Sequence, residues 1–98
     1  MTTRPPLRIQ EATEQDAPLI LDFIRELAQY EKALNRMSAT EESLRATLFG
    51  SRPYAEALIV YQSKQPVAFA IYFFSYSSFT GLPNLYLEDI FVRPAFRG

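Results

Sequence analysis

Two adjacent carboxylates, Glu88 and Asp89, interrupt the otherwise apolar segment LYLEDIFV. Strand alternation sends neighbouring side chains to opposite faces, so at least one of the pair is expected to be substantially buried. A buried carboxylate without a partner is expensive; such a group pairs, binds a cation, or sits in a functional pocket with an altered pKa. The structural alternative stands beside this one: one acid accepts backbone hydrogen bonds at a bulge and the other is solvated. A further acid, Glu31, follows Tyr30 near the end of a helical segment, where a carboxylate opposes the helix dipole. Taken as residues alone, this pair reads as helix surface. The aromatic series Phe69, Tyr72, Phe73, Phe74, Tyr76 and Phe79 offers rings for stacking, but apolar strand residues are more often core, with Phe69, Ile71 and Phe73 as its expected centre. The tail FVRPAFRG ends a strand at Val92, breaks it with Pro94 and closes on Arg97 and Gly98, a weak signal for the start of a glycine loop.

The composition narrows the chemistry further. There is no Cys and no His, which removes disulfides, thiolate zinc sites, a Cys nucleophile and an imidazole base. No metal site is expected, and acid–base work falls to carboxylates, tyrosines or lysines. A net charge of -1, a pI near 5.4 and the lack of any Lys/Arg stripe argue against a nucleic-acid partner. MTTRPPLRIQ carries no apolar h-region, and no run of about 18 apolar residues occurs that could span a bilayer. The expected location is the cytoplasm, with no membrane partner. The 98 residues are 48% hydrophobic and 21% charged, an ordinary globular balance for at most one domain. A domain this small buries only about two-thirds of its unfolded surface, so its stability should be marginal.

The elements that must position these residues follow from periodicity. Leu7 and Ile9 alternate after Pro5 and Pro6 as a first strand. Leu19, Ile20, Phe23, Ile24, Leu27, Tyr30 and Leu34 recur at three- and four-residue steps as one apolar helix stripe, opposite Asp22, Arg25, Glu26 and Gln29. Thr13 with Asp16 resembles a capping box for this helix, but Pro18 would then remove a bond in its first turns, which makes Asp16 the competing cap. Ser38 or Thr40 caps a second helix, with Glu41 and Glu42 in its first turn, Leu44 and Leu48 as its apolar edge and Gly50 as its stop. Residues 58–61 form a short strand, and a polar turn joins it as a hairpin to residues 67–76. That second run has almost no polar face and is expected to be a central strand covered on both sides. A loop over residues 77–84, with Gly81 and Pro83, leads to a last strand over 85–92. The order β-α-α-β-β-β predicts an α+β fold, with helices packed on a mostly antiparallel sheet.

On these segments the chain resembles the GNAT acetyltransferase superfamily, and more narrowly the diamine and polyamine N-acetyltransferases. IQEATEQDAPLILDFIRELAQYE is similar to that family's first strand and helix, and AFAIYFFSY and LYLEDIFVRPAFRG to its third and fourth strands. The resemblance covers nearly the whole chain, and LYLEDIFV followed by RPAFRG is its specific part. It implies the N-terminal half of a GNAT fold: residues 1–98 as a single incomplete domain that ends at the start of the loop for the acetyl-CoA pyrophosphate. The implied activity is transfer of acetyl from acetyl-CoA to a primary amine of a small polyamine, diamine or similar substrate.

The same resemblance implies that Ile90, Phe91 and Val92 hold the pantetheine arm and polarise the thioester, while Arg97 and Gly98 match the first two positions of the Arg/Gln-x-x-Gly-x-Gly/Ala loop. Tyr30, Glu31 and Glu88 match the substrate contacts, with Glu88 as the catalytic carboxylate, direct or through water. The family's C-terminal tyrosine acid, the remaining glycines and the fifth strand are not in this chain. By itself, therefore, the chain is expected neither to bind acetyl-CoA tightly nor to catalyse transfer. The open edge of its last strand is expected to pair with another copy, as a homodimer, or with a C-terminal half. The rival reading is an inactive assembly or amine-binding module.

Overall fold

The computed structural model describes residues 5–97. Its regular elements are β1 (Leu7–Glu11), α1 (Ala17–Tyr30), α2 (Glu41–Leu48), β2 (Glu56–Gln62), β3 (Gln65–Ser77) and β4 (Leu82–Val92), with short 3-10 turns at Glu14–Asp16, Leu34–Arg36 and Pro94–Phe96. The four strands form one antiparallel sheet in the order β1-β2-β3-β4, so β3 is interior and β4 is an edge. This is the α+β arrangement that the periodicity predicts.

Both candidate residues stand at the start of α1, but the Asp16 side chain bonds Thr13 and makes no cap bond to the α-helix itself. Thr13 and Asp16 close a capping box over the 3-10 turn, the Thr13 N–H donating to Asp16 Oδ2 at 2.8 Å. The α-helix then starts at Ala17, with Asp16 at its N-cap. Pro18 falls in the first turn, where its missing N–H costs nothing. At the other end Lys32 adopts φ 56°, the Lys32 N–H donates to the Gln29 carbonyl and the Ala33 N–H to the Ala28 carbonyl. These paired bonds are a Schellman closure, with lysine in the left-handed position that glycine usually fills. The closure ends α1 at Tyr30, so Leu34 lies past the helix and is exposed. For α2 the cap is Thr40, in a reciprocal box with Ser43. Gly50 follows that helix because a Cβ there would sit 2.4 Å from the Ala46 carbonyl oxygen.

Both helices cover one face of the sheet. Ile20 and Phe23 of α1 and Leu44 and Leu48 of α2 pack on Ala57, Ile59, Phe69, Ile71 and Phe91. Phe23 and Phe69, each essentially without exposure, stack with ring centroids 5.1 Å apart. The opposite face is apolar too, but open: Leu58, Val60, Ala68, Ala70, Ile90 and Val92 line a groove of about 690 Å³.

The structure corrects the sequence expectation at three points. β3 is buried only from Val67 to Ile71, and beyond that the hairpin runs past the helices, leaving Phe74 and Tyr76 exposed. Phe73 is accordingly half-buried, leaning on Tyr86 at 4.8 Å instead of joining the core. The connection after β3 is also shorter than a loop over 77–84, because β4 starts at Leu82 and the reversal closes around Gly81 at φ 70°. Pro83 is tolerated in β4 because the strand is an edge.

Candidate active site

The register of β4 decides where its two acids go. Asp89 pairs with Ile71 and Leu87 with Tyr72, which leaves Glu88 as the extra residue of a β-bulge. Counted back from buried Phe91, Asp89 faces the helices, while Glu88 is exposed at the bulge. The expectation of opposite faces and a substantially buried acid is therefore met only in a weaker form, since Asp89 is half-buried. Burial, then the charge of Glu88, then that of Glu31 push the Asp89 carboxyl above its ordinary 3.8.

Two cavities meet at the end of α1. One, of about 370 Å³, lies between the helix and the last residues of β4, and is lined by Leu27, Tyr30, Glu31, Ile90, Phe91, Val92 and Arg97. The edge of β4 away from β3 has no strand partner among the described residues, so its backbone groups are available to an extended ligand. Tyr30 packs edge-on to Phe91 at 6.2 Å, and the Arg97 guanidinium lies over both rings, 4.8 and 5.3 Å from their centroids. Arg97 Nε also donates to the Val92 carbonyl at 2.8 Å. The other cavity, of about 310 Å³, includes Ile24, Leu27, Glu31, Arg36, Met37 and Asp89. Leu27 and Glu31 belong to both linings.

The structure thus brings together Tyr30, Glu31, Ile90, Phe91, Val92 and Arg97 of the residues singled out from the sequence. Glu88 lines neither cavity and reaches the site only through its charge on Asp89. Gly98 lies outside the described residues. Sequence reasoning gave no separate role to Asp89, to Arg36, or to the pair Glu26 and Arg93. Counting alternation backward from Phe91 would have put Asp89 on the helix face; nothing in the sequence brings Arg36 to the same cavity. Among the described residues no group of His, Cys, Asp and Glu could hold a metal ion, and no helix is long and apolar enough to cross a membrane.

No protein-family model matches the chain. It is 43% identical over 98 residues to a thialysine N-epsilon-acetyltransferase of Bos taurus, an alignment covering 92% of this chain and 57% of that protein. It is 38% identical to a spermidine/spermine N(1)-acetyltransferase-like protein 1 of Homo sapiens, over 99% of this chain and 15% of the other. Among solved structures, an aminoglycoside acetyltransferase from an uncultured soil metagenomic sample superposes with a TM-score of 0.74 at 18% identity, over 93% of this chain and 59% of that one, a likeness of fold. The chain spans just over half the length of the thialysine acetyltransferases it matches. Over more than nine-tenths of its own length the chain is thus similar in sequence to amine N-acetyltransferases, and it shares the fold of a solved acetyltransferase.

Proposed function

We propose that the protein carrying this chain transfers the acetyl group of acetyl-CoA to a primary amine of a small cationic substrate. The observation that carries the reading is the meeting of two cavities at Glu31, one walled by the free strand end Ile90 to Val92, the other by the carboxylates Glu31 and Asp89. An extended thioester on the strand edge and an ammonium among the carboxylates would approach each other there. Holding both reactants in register removes much of the entropic barrier to direct attack. Before attack the amine must lose a proton. A carboxylate held above its usual pKa accepts that proton more readily, directly or through water, and Asp89 is such a group. Glu88 supports it by field from the bulge. Tyr30 and Arg97 line this cleft together with the strand end, where the Arg97 guanidinium offers a positive charge to the cofactor's phosphates.

One observation favours a narrower substrate. Arg36 lines the carboxylate cavity and makes no ion pair among the described residues. A diamino acid would give its terminal ammonium to Glu31 and Asp89 and its carboxylate to Arg36, as the likeness to thialysine acetyltransferases also suggests. A plain polyamine has nothing to offer that arginine.

The test is thiol release by the intact protein with acetyl-CoA and a set of amines: spermidine, a diamine, and the diamino acid of the same length. Asp89→Asn should raise the KM for the amine about tenfold or more, the loss typical of removing one partner of a partly desolvated pair, and Glu88→Gln should do less. Equal turnover by the wild type and the Asp89→Asn variant would remove Asp89 from the site.

A further inference from the structure

Among the described residues, a dense long-range polar constellation lies outside both cavities, at Arg93. Its Nε donates to both carboxylate oxygens of Glu26 at 3.1 and 3.2 Å, one terminal nitrogen donates to Glu26 Oε2 at 2.9 Å, and the other donates to the Pro66 carbonyl at 2.9 Å. The backbone N–H of Arg93 donates to the Val67 carbonyl at 2.9 Å. The guanidinium rests 4.4 Å from the centroid of Phe23, itself fully buried and stacked on Phe69. Only 24% of the arginine side chain and 34% of the glutamate's is exposed. Fork geometry and partial burial make this contact stronger and more directional than the exposed helix-surface pairs, Arg25 with Asp22 on α1 and Arg45 with Glu41 on α2.

The place of this clamp in the chain gives it a function. Arg93 directly follows Val92, the last strand residue of the cleft wall. Glu26, expected from periodicity on the polar face opposite the apolar stripe, is instead half-buried one helical turn before Tyr30, at the flank of that stripe where Arg93 covers Phe23. Pro94 then removes the next backbone donor, the chain turns through Pro94–Phe96, and Arg97 returns over Tyr30 and Phe91. β4 is bonded to β3 on one side only, so the distance from its end to α1 depends on the packing of Phe91 and on this clamp. We infer that Arg93 and Glu26 are positioning residues that set the width of the cleft between the end of β4 and α1, and with it the affinity for acetyl-CoA. The inference rests on the acetyltransferase reading.

The test uses the intact protein with Arg93→Met, Arg93→Lys, Glu26→Gln and the exchanged pair Glu26→Arg/Arg93→Glu, reading calorimetric affinity for CoA, the KM of each substrate and the unfolding temperature. Arg93→Met should weaken CoA binding and raise the KM for acetyl-CoA about tenfold, with the amine KM changed less than about twofold. Lysine keeps the charge but loses the fork, and should fall between. The exchanged pair should recover part of the loss. Should Arg93→Met fail to fold, Arg93→Lys and Glu26→Gln carry the same comparison. Variants with a lowered unfolding temperature but unchanged CoA affinity would overturn the inference alone, as would an equal rise in both KM values. A wild-type protein that binds no CoA would overturn the acetyltransferase reading, and this inference with it.

Discussion

Asp89 carries the most direct consequence at the scale of one residue, because its carboxyl is held above 3.8 by burial and by two neighbouring acids. The folded state therefore keeps that proton to a higher pH than the unfolded chain does. Stability falls as pH rises from about 3.8 through the raised folded pKa, and above it Asp89 imposes a constant cost. Asp89→Asn removes the titration. The variant should unfold at a higher temperature than the wild type at pH 7, with the difference closing below pH 3.8, as scanning calorimetry across pH would show. A bound ammonium acts in the opposite sense by favouring the ionised carboxylate, so amine affinity should weaken as the solution is acidified through the same window. Stability and substrate affinity pull this side chain in different directions, a common cost of a binding carboxylate.

At the scale of the element, the end of α1 is the part most open to test. Lys32 takes a left-handed conformation so that the Schellman bonds can close and Glu31 can stand at the junction of the two cavities. A residue with a Cβ is disfavoured there by about 1–2 kcal/mol, and glycine would relieve that strain less the cost of its larger unfolded-state entropy. Lys32→Gly should therefore stabilise the protein by up to about 1 kcal/mol and leave the amine KM unchanged, as urea unfolding and steady-state kinetics would record. A loss of stability would mean that the lysine side chain contributes more than its backbone strain removes. The bulge in β4 is the corresponding device in the sheet: Asp89 shares the face of Phe91 by ordinary alternation, and the unpaired Glu88 puts Leu87, opposite Tyr72, on the other face.

For the molecule as a whole, the helices protect one face of the sheet and leave the other open. Phe74 pairs with Leu85 across the far end of the hairpin, and both are more than half exposed, as are Tyr76 and Leu87. By strand alternation they lie on the same face of the sheet as Ala70 and Ile90, which line the open groove, so apolar side chains run along that face. Exposed apolar surfaces of this kind drive association. The 98-residue chain should sediment as more than a monomer at micromolar concentration, and Leu85→Lys with Leu87→Lys should shift it toward the monomer without altering its helix content by circular dichroism. A monomeric wild-type chain would show that this face tolerates water.

Much of this architecture is legible in the sequence because local rules agree with one another. The three- and four-residue spacing from Leu19 to Leu27 makes α1, Thr40 with the acids after it starts α2, and the β-branched and aromatic runs make the strands. Lack of His and Cys leaves carboxylates, tyrosines or lysines to do any acid–base work. Other features depend on contacts between segments far apart in the chain. Phe73 has the composition of a core residue, yet is only half-buried because the helices do not reach it. Alternation from Phe91 is enough to put Asp89 on the helix face, but only the pairing of β4 with β3 makes Glu88 the extra residue of a bulge, and only the packing of α1 gives Asp89 a cavity. Glu26 and Arg93 are 67 residues apart and carry no local sign of each other. Periodicity and capping are written over a few neighbouring residues, whereas register and long-range ion pairs exist only once the sheet and helices have packed, which is why tertiary structure alone decided them.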